Sequence, residues 1–336
     1  MPMGQVMVKN NRSLPCLCVG ILVLLLAGCQ GPQSALEPSG PAAGEIALLW
    51  WVMFYSAVAI FTLVFALLMY AAFRKPEKRR QISPIKFVVV GGLAFPILVL
   101  SILLPLGIGV GSGMDRLTPP ETLTVHVTAH QWWWEVAYKG GPNDLDFNSA
   151  NELYIPVGQP VELILESADV IHSFWLPRLA GKRDMIPGMT NRLVIEADEP
   201  GIFRGQCAEF CGLAHAKMAF YAVALEPEEF FRWAENQSRP QPASLEDEGA
   251  RLFAQNGCAL CHTVRGHQAR GREGPDLTHV GSRKTIGAGL LPTSPENIAL
   301  WLSRNDKLKP GNRMPDYVHL SQEDRLSIAR YLESLE

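Results

Sequence analysis

The sequence has no excess of charge of either sign and no spare pair of cysteines. Its 336 residues include 30 Lys and Arg against 33 Asp and Glu, so the basic balance that accompanies nucleic-acid binding is absent. The seven cysteines fall into three clusters, namely Cys16, Cys18 and Cys29, then Cys207 and Cys211, then Cys258 and Cys261. Each of the two later pairs belongs to a motif of its own, which leaves no pair for a structural disulfide in the mature chain. The hydrophobic content of 48% allows two or three domains.

The N-terminus has the pattern of an exported lipoprotein. Lys9 and Arg12 precede an apolar run over residues 14–27, and Cys29 follows directly after Leu-Ala-Gly. A basic segment, a short apolar core and small residues before a cleavage point are typical of a secretory signal. The cysteine after them resembles a bacterial lipoprotein site, which predicts a signal peptide over residues 1–28 and a lipid on the Cys29 thiol. An uncleaved membrane helix with an incidental cysteine is the alternative.

Two long runs without charge predict a transmembrane hairpin over residues 46–114. The runs cover residues 46–73 and 87–114, and each is long enough to cross a bilayer of about 30 Å at about 1.5 Å per residue. Basic residues concentrate in the loop between them, as in cytoplasmic loops, so both flanks would lie on the outer face. A buried helix pair of a soluble protein is the alternative. Residues 29–45, rich in Pro, Gly, Ala and Ser, predict a mobile spacer.

The central motif of the chain gathers soft metal donors. Cys207, Cys211, His215 and Met218 follow one another within a short segment. Thiolates beside imidazole suit copper or zinc, and a thioether favours copper. Two bridging thiolates capped by an imidazole on each side would hold a pair of coppers, and His172 is the candidate for the second imidazole. A disulfide, or a pair of buried thiols, is the alternative for the two cysteines.

This motif resembles the dinuclear copper site of subunit II of haem-copper cytochrome c oxidases. The resemblance implies that Cys207 and Cys211 bridge the coppers and that His172 and His215 cap them. It also implies Met218 as a weak ligand and the Glu209 carbonyl as another. The Glu209 side chain would help to hold a magnesium ion against the catalytic subunit. Quinol-oxidising relatives lack these copper ligands, so the resemblance implies a cytochrome-type electron donor.

Short β-branched segments separated by turns predict an antiparallel sandwich or barrel over residues 115–234. The resemblance implies a Greek-key cupredoxin fold with the ligands on loops at one end. Three consecutive Trp residues at 132–134 cannot all point inward, because alternate side chains of a strand face opposite ways. The resemblance gives Trp132 the role of passing electrons into the copper pair. Asp169 is predicted to orient His172, to contact the catalytic subunit or to cap a turn.

A second motif, Cys258-Ala-Leu-Cys261-His262, is the attachment signature of c-type haem. The two thiols can reach both vinyl groups while His262 reaches the iron. Zinc would need four ligands, and no second C-x-x-C lies nearby. The candidates for the sixth iron ligand are Met314, His267, His279 and His319. Met314 is preferred because it resembles the ligand loop of small cytochromes and because a Met ligand raises the haem potential.

After a linker over residues 235–244, helical spacing predicts a small all-α cytochrome domain over residues 245–336. The order of lipid anchor, membrane hairpin, copper domain and cytochrome resembles subunit II of caa-type cytochrome c oxidases across the mature chain. The fold class is therefore multidomain, with a two-helix transmembrane hairpin, a β Greek-key cupredoxin domain and an all-α cytochrome c domain.

The resemblance implies the electron-input subunit of a terminal oxidase in the bacterial cell membrane. It would take electrons from a soluble or membrane-bound cytochrome c-type donor and deliver them to subunit I, where dioxygen is reduced to water, with further oxidase subunits as partners. The alternatives are an electron-transfer subunit of a copper-containing nitric oxide reductase and a membrane copper-binding module. One departure from the family concerns a carboxylate and a Trp near the start of the second span. Val89 and Gly92 stand there, so the resemblance does not extend to proton uptake through this subunit.

Overall fold

The computed structural model describes residues 31–78, 83–113, 122–140, 144–242 and 247–336. These comprise two long apolar helices, a β-sandwich and a small helical domain, so the multidomain fold class predicted from the sequence is confirmed. The signal peptide with Cys29, the end of the hairpin at Met114 and the last residues of the linker lie outside the described residues, and the predictions about them stay predictions.

Two helices are long and apolar enough to cross a membrane, over Pro41–Phe73 and Pro84–Ser112. The first is α1 (Pro41–Phe73). The second consists of α2 (Pro84–Phe87), a π-helical segment (Val88–Ala94) and α3 (Phe95–Gly113), with Pro105 inside α3. Their large apolar side chains are exposed along most of both helices, as expected of surfaces that face lipid. Val89 and Gly92 lie in the π-helical segment.

The segment before α1 is packed against the sandwich, which differs from the mobile spacer predicted from its composition. Arg178 donates from Nε to the Glu37 carbonyl at 2.9 Å and from Nη2 to Ser39 Oγ at 2.7 Å. The Ser39 amide donates in return to the Arg178 carbonyl at 2.7 Å. Helix α1 begins at Pro41 and not at residue 46, because proline is well suited to the first turn of a helix. We call residues 33–43 the N-terminal strap.

In the described part of the copper domain, ten strands form two five-stranded sheets packed face to face. They are β1 (Leu123–His130), β2 (Trp133–Gly140), β3 (Leu145–Ala150), β4 (Glu152–Pro156), β5 (Val161–Ser167), β6 (His172–Trp175), β7 (Lys182–Met185), β8 (Asn191–Ile195), β9 (Gly201–Cys207) and β10 (Ala219–Leu225). The sheet orders are β3-β2-β1-β5-β8 and β4-β10-β9-β6-β7. The pairs β1/β5 and β4/β10 are parallel and the others antiparallel.

Large aromatic side chains fill the space between the two sheets. Trp134 and Phe174 are each 1% exposed and Phe220 is 2% exposed, and Trp134 packs edge-on against both. Alternate residues of β1 are buried, which is the pattern of a strand with one face toward a core. Helix α4 (Pro227–Ser238) follows β10 and packs Trp233 on Tyr154 with ring centroids 4.1 Å apart. This rigid sandwich carries the loops that bear the metal donors.

Within residues 247–336, the haem domain has three α-helices, one 3-10 turn (Cys258–Leu260) and two short hairpins. The helices are α5 (Glu248–Gln255), α6 (Pro295–Leu308) and α7 (Gln322–Glu333), and the hairpins are β11/β12 (Thr263–Val264 with Ala269–Arg270) and β13/β14 (Thr285–Ile286 with Leu291–Pro292). Asp247, Ser294 and Ser321 cap the three helix N-termini through their side chains. Helix α5 crosses α7 at Gly249, where a Cβ would come within 2.1 Å of the Ser327 carbonyl oxygen. The two hairpins were not predicted from the sequence.

Candidate metal and haem sites

The β9–β10 connection gathers the predicted copper donors in one place. Strand β9 ends at Cys207, whose amide donates to the Met218 carbonyl at 2.9 Å and so closes the neck of the loop. Cys207 Sγ lies 3.7 Å from Cys211 Sγ, and Cys211 Sγ lies 3.8 Å from Met218 Sδ. The Glu209 carbonyl oxygen is 3.2 Å from Cys207 Sγ. The two thiols and the thioether are buried, at 4%, 2% and 1% exposure respectively.

The two histidines lie at opposite ends of the thiol pair. His172 Nδ1 is 3.8 Å from Cys207 Sγ, and His215 Nδ1 is 3.6 Å from Cys211 Sγ. His172 reaches the loop because β6 pairs with β9, which places Phe174 opposite Cys207. The structure therefore brings His172, Cys207 and Cys211 together with their ligand atoms within 4.8 Å of one another, and it places His215 beside Cys211. The assignment of these residues as copper ligands stays a prediction. Soft sulfur with imidazole suits copper.

A carboxylate fixes which nitrogen His172 turns toward the thiols. Its Nε2 donates to Asp169 Oδ1 at 2.8 Å, which leaves Nδ1 free on the side of Cys207. Asp169 is held in turn by the amides of Gln131 and Val170, each at 2.7 Å from one of its oxygens. A carboxylate that bonds the far nitrogen of a metal-binding histidine fixes the tautomer and raises ligand basicity. Of the three roles predicted for Asp169, the geometry favours the orientation of His172.

The thiol pair has the electrostatics of a cation site. A hydrogen bond from Cys211 lowers the pKa of the Cys207 thiol to about 4, with a further contribution from His172. The pKa of Cys211 is raised, first by its hydrogen bond with Cys207, then by burial and by repulsion between two neighbouring thiolates. Cations between the two sulfurs remove that penalty. The pair therefore fits a site in which both thiolates share bound metal.

Trp132 lies beside this loop, and its indole Nε1 donates to the Cys211 carbonyl at 3.0 Å. Gln131 Nε2 donates to the same oxygen at 2.8 Å. The three tryptophans diverge as the strand alternation requires. Trp132 is 7% exposed at the loop and Trp134 lies in the core, whereas Trp133 is half-buried and stacks on His130 with ring centroids 4.4 Å apart.

Glu209 is exposed, and its side-chain Oε1 accepts from the Phe210 amide at 3.2 Å. Its neighbours Phe210 and Leu213 are 75% and 80% exposed, although both are large and apolar. A carboxylate flanked by exposed apolar side chains is the composition of a surface that another chain covers. The predicted magnesium role of Glu209 requires such a second chain.

The haem motif lines a cavity of about 880 Å³ between the haem domain and the copper domain. Cys258, Cys261 and His262 line it from one end of α5, and Met314 lines it from the loop after α6. His262 Nδ1 donates to the Pro275 carbonyl at 2.8 Å, which leaves Nε2 as the nitrogen that can bind iron. Burial lowers the pKa of His262 and so keeps the imidazole neutral. Thiols, imidazole and thioether around one apolar cavity fit a c-type haem.

Of the four candidates for the sixth ligand, only Met314 lines this cavity. His279 is occupied at both ring nitrogens, by the Arg239 carbonyl at 2.9 Å and by Gln241 Nε2 at 3.0 Å. His267 contacts the Tyr331 hydroxyl at 3.3 Å, and His319 is exposed. The geometry therefore favours Met314, the residue preferred from the sequence.

Comparison with known proteins identifies the family. The profile described as "Cytochrome C oxidase subunit II, periplasmic domain" matches residues 123–225, and the profile described as "Cytochrome c" matches residues 246–336. The chain is 37% identical to cytochrome c oxidase subunit 2 of Alkalihalophilus pseudofirmus, with 97% of each chain covered. This chain belongs to the cytochrome c oxidase subunit II family.

Two further proteins are similar to this subunit II. The cytochrome c oxidase subunit 2 of Bacillus subtilis is 31% identical, with 98% of this chain and 99% of that protein covered. The solved periplasmic domain of subunit II of cytochrome oxidase from Bradyrhizobium japonicum is 34% identical and has a TM-score of 0.34. It covers 36% of this chain, and 96% of that domain is matched.

Membership confirms the family predicted from the sequence and gives the chain a place in an oxidoreductase. It is an electron-input subunit of an oxidase whose domains imply haem c and copper and whose complex includes subunit I. The two apolar helices and the periplasmic-type domain fit a membrane protein with its sandwich on the outer face.

Sequence reasoning missed several residues that support the two sites. Gln131 bonds both Asp169 and the Cys211 carbonyl, and it stands next to the predicted Trp132. Lys309 bonds the Trp132 carbonyl from the haem domain. The signal for Gln131 was its place in the Trp motif, but no local pattern marks Lys309, because its partners come from distant parts of the chain.

Proposed function

We propose that this subunit II passes electrons from a cytochrome-type donor through its own haem c to a dinuclear copper centre and on to subunit I, where dioxygen is reduced to water. The haem would be held by Cys258, Cys261, His262 and Met314. The copper pair would be held by six residues: His172, Cys207, Glu209, Cys211, His215 and Met218. The observation that carries the proposal is the position of Trp132.

Trp132 belongs to both sites at once. It lines the cavity that contains the haem motif, and its indole Nε1 donates to the carbonyl of Cys211, a predicted copper ligand. Its ring borders the haem cavity, and one hydrogen bond joins the ring to the backbone of Cys211. Electrons therefore have a short path between the two sites through this side chain. Copper held by thiolates exchanges one electron with little change of geometry when the protein holds the ligands rigidly, and here strands β6 and β9 carry His172 and Cys207 while the closed β9–β10 loop carries the other donors.

The tether between the two domains replaces a diffusional encounter. Residues 239–247 join α4 to α5, and so short a connection gives a high effective concentration of haem domain at the copper domain. The external donor, soluble or membrane-bound, then needs to reach only the haem. The exposed Glu209 carboxylate would complete a magnesium site at the boundary with subunit I.

The charges of the loop between the two spans set the orientation that we propose. Arg74, Lys75 and Lys78 are exposed there, and short basic loops stay on the cytoplasmic side of bacterial membranes. Both the sandwich and the haem domain then lie on the outer, periplasmic face of the cell (inner) membrane. A lipid on Cys29 would anchor the same face.

The decisive experiment measures gas consumption by the detergent-purified complex supplied with a reduced cytochrome-type donor, with dioxygen and nitric oxide offered separately. Trp132→Phe is compared with Trp233→Phe, a matched change in the aromatic cluster of α4. We expect cyanide-sensitive dioxygen uptake that falls about tenfold or more in Trp132→Phe, equivalent to about 1.4 kcal/mol of barrier, and changes little in Trp233→Phe.

Other outcomes would redirect the assignment. Nitric oxide consumption without dioxygen uptake would make the chain the electron-input subunit of a reductase. A complex that consumes neither gas and co-purifies with no large membrane partner would point to metal handling. Equal dioxygen uptake in the two Trp variants would remove Trp132 from the electron path.

A further inference from the structure

A lysine ammonium is buried at the boundary between the haem domain and the copper domain. Lys309 follows α6 and is 3% exposed. Its Nζ donates to the Trp132 carbonyl at 2.6 Å and to the Gly287 carbonyl at 2.8 Å. Trp132 belongs to the copper domain, whereas Gly287 lies in the β13/β14 hairpin of the haem domain. One side chain therefore joins the tryptophan that lies between the two sites to two parts of the haem domain.

Burial of this ammonium is costly and is compensated by those two carbonyls. Moving an ammonium group from water into the protein interior is unfavourable unless hydrogen bonds replace its hydration. Burial lowers the pKa of Lys309 to about 7, with Lys217 contributing in the same direction and Cys211 in the opposite one. A buried lysine would destabilise the fold if it served packing alone. Its two hydrogen bonds form only when the haem domain and the copper domain are arranged in this way.

Residues next to Lys309 also contact the copper domain, and a lysine of the copper domain bonds back to the haem domain. Gly311 has φ of 81°, and a Cβ there would meet Trp132 Cη2 at 2.8 Å and Leu213 Cδ1 at 3.2 Å. From the copper domain, Lys217 Nζ donates to the Leu308 carbonyl at 2.6 Å. Residues 308–311 therefore lie directly on the copper loop and on Trp132. The same segment continues to Met314, the predicted iron ligand.

We propose that Lys309 is a positioning residue that holds the haem domain in register on Trp132, so that electrons pass between the two sites of one chain without a docking step. The inference rests on the proposed haem-to-copper path and extends it. Electron transfer rates fall exponentially with the distance between the two redox groups, so a small displacement of the haem domain slows transfer strongly. Of the two bonds of Lys309, the one to Trp132 is made by the backbone carbonyl of that residue and not by its ring, which lines the cavity.

The test uses the purified holo-complex and compares Lys309→Met with Lys307→Met. Lys307 lies two residues earlier and is exposed, so the control removes the same charge from the same segment. The haem is reduced by a photoexcited external reductant, and its reoxidation is followed together with the absorption of the copper centre. In Lys309→Met we expect the haem-to-copper rate to fall about tenfold or more, as the loss of two charged hydrogen bonds would produce, and we expect Lys307→Met to match the wild type.

Two readouts separate positioning from general damage. The haem midpoint potential and the copper absorption of Lys309→Met should equal those of the wild type. Its transfer rate should become dependent on solvent viscosity, because a released domain must diffuse into place, whereas the wild-type rate should not. Gly311→Ala perturbs the same contact without a change of charge and should slow transfer as well, which covers the case in which Lys309→Met does not fold.

A haem-to-copper rate in Lys309→Met that equals that of Lys307→Met, with no viscosity dependence, would overturn the inference. Wild-type complex that shows no haem-to-copper transfer would instead contradict the proposed function. The two failures are therefore distinguishable in one set of measurements.

Discussion

In the copper domain, each predicted side-chain donor lies within 4 Å of another, with the closest sulfur and nitrogen pairs 3.6–3.8 Å apart. In the haem domain, by contrast, the predicted iron-binding residues surround a cavity of about 880 Å³. The sandwich has its own aromatic core between two sheets, whereas the cavity is bordered by Leu277, Ile298 and Leu302 of the haem-domain core. The copper site is therefore built on a fold that is complete without it, and the haem would form part of the core of its own domain.

The largest effect is expected when the haem cannot attach. The double variant Cys258→Ser/Cys261→Ser should lose covalent haem, and the haem domain should then lose its protease resistance because its core is not filled. Turnover with a cytochrome-type donor should fall about a hundredfold or more, equivalent to about 2.7 kcal/mol. Haem staining after denaturing electrophoresis, limited proteolysis and donor oxidation measure these three effects. A haem domain that stays resistant without haem would break the contrast between the two sites.

The copper domain, unlike the haem domain, should stay folded when its metal is lost. Cys207→Ser should abolish the copper absorption and the transfer of electrons to subunit I, yet the copper domain should remain folded. In copper-free buffer, variant and wild-type copper domains should unfold within about 5 °C of each other, a difference worth about 1 kcal/mol. Thermal scans followed by tryptophan fluorescence check this expectation. Unfolding of the sandwich without copper would show that metal, and not the sheets, organises the loop.

A smaller effect is expected from a single iron ligand. Met314→Ala should lower the haem midpoint potential by more than about 59 mV, which is a tenfold change for a one-electron couple, because a thioether ligand raises the potential. Haem should stay attached through Cys258 and Cys261. A redox titration measures the shift, and His319→Ala, at an exposed position outside the cavity, serves as the control. An unchanged potential in Met314→Ala would place the sixth ligand elsewhere.

The smallest effect on electron transfer is expected at Glu152, where the two domains meet and where a substitution acts on stability. The carboxylate is fully buried, and its Oε1 accepts from the amides of Lys284 at 2.7 Å and Thr285 at 3.1 Å. Glu152→Ala should cost about 1–3 kcal/mol, because both amides lose their acceptor, and Glu152→Gln should cost less because an amide oxygen remains. Chemical denaturation of the purified chain measures both. Equal stability of the two variants would show that the amides find other acceptors.

The Glu152 carboxyl should also make the stability of the folded chain depend on pH. Burial raises the pKa of Glu152 above its usual value of 4.5, against an opposing effect of Arg283. A raised pKa in the folded state means that the folded chain binds the proton more tightly, so this contribution to stability is complete below pH 4.5 and is lost as the pH rises through the raised value. The stability of Glu152→Gln relative to the wild type should therefore increase with pH above 4.5. A constant difference would contradict the shift.

What could be predicted from the sequence was the chemistry that is local in the chain. Cys207, Cys211, His215 and Met218 stand in one loop, and Cys258 with His262 in one turn, so spacing alone indicated both groups. His172 was predicted by combining a need for a second imidazole with a nearby motif. Trp132 and Glu209 came from family resemblance, which the chain's membership in that family supports.

What could not be predicted depends on contacts between distant segments. The N-terminal strap has the composition of a spacer, but residues far along the chain hold it against the sandwich, among them Arg178 and the amide of Asp198, which donates to the Ser39 carbonyl at 2.9 Å. Lys309 stands in an ordinary polar loop, and the role proposed for it depends on its hydrogen bond to the Trp132 carbonyl in another domain. Helix α4 runs to Ser238, into the predicted linker, and its later turns are buried at Ala234 and Gln237, where Gln237 donates to Ser282 of the haem domain. The composition of a segment does not reveal which distant residues contact it in the folded chain.

The N-terminal strap also changes how the membrane acts on the metal site. The Ala43 amide donates to the Leu179 carbonyl at 3.2 Å, and Ala43 and Ala47 of α1 are buried, at 2% and 5% exposure. The first turns of the span are therefore in direct contact with the sandwich that carries the copper loop. Tilt of a transmembrane helix follows the thickness of the bilayer around it. A change of bilayer thickness that tilts α1 would therefore act on the copper domain through the N-terminal strap as well as through subunit I.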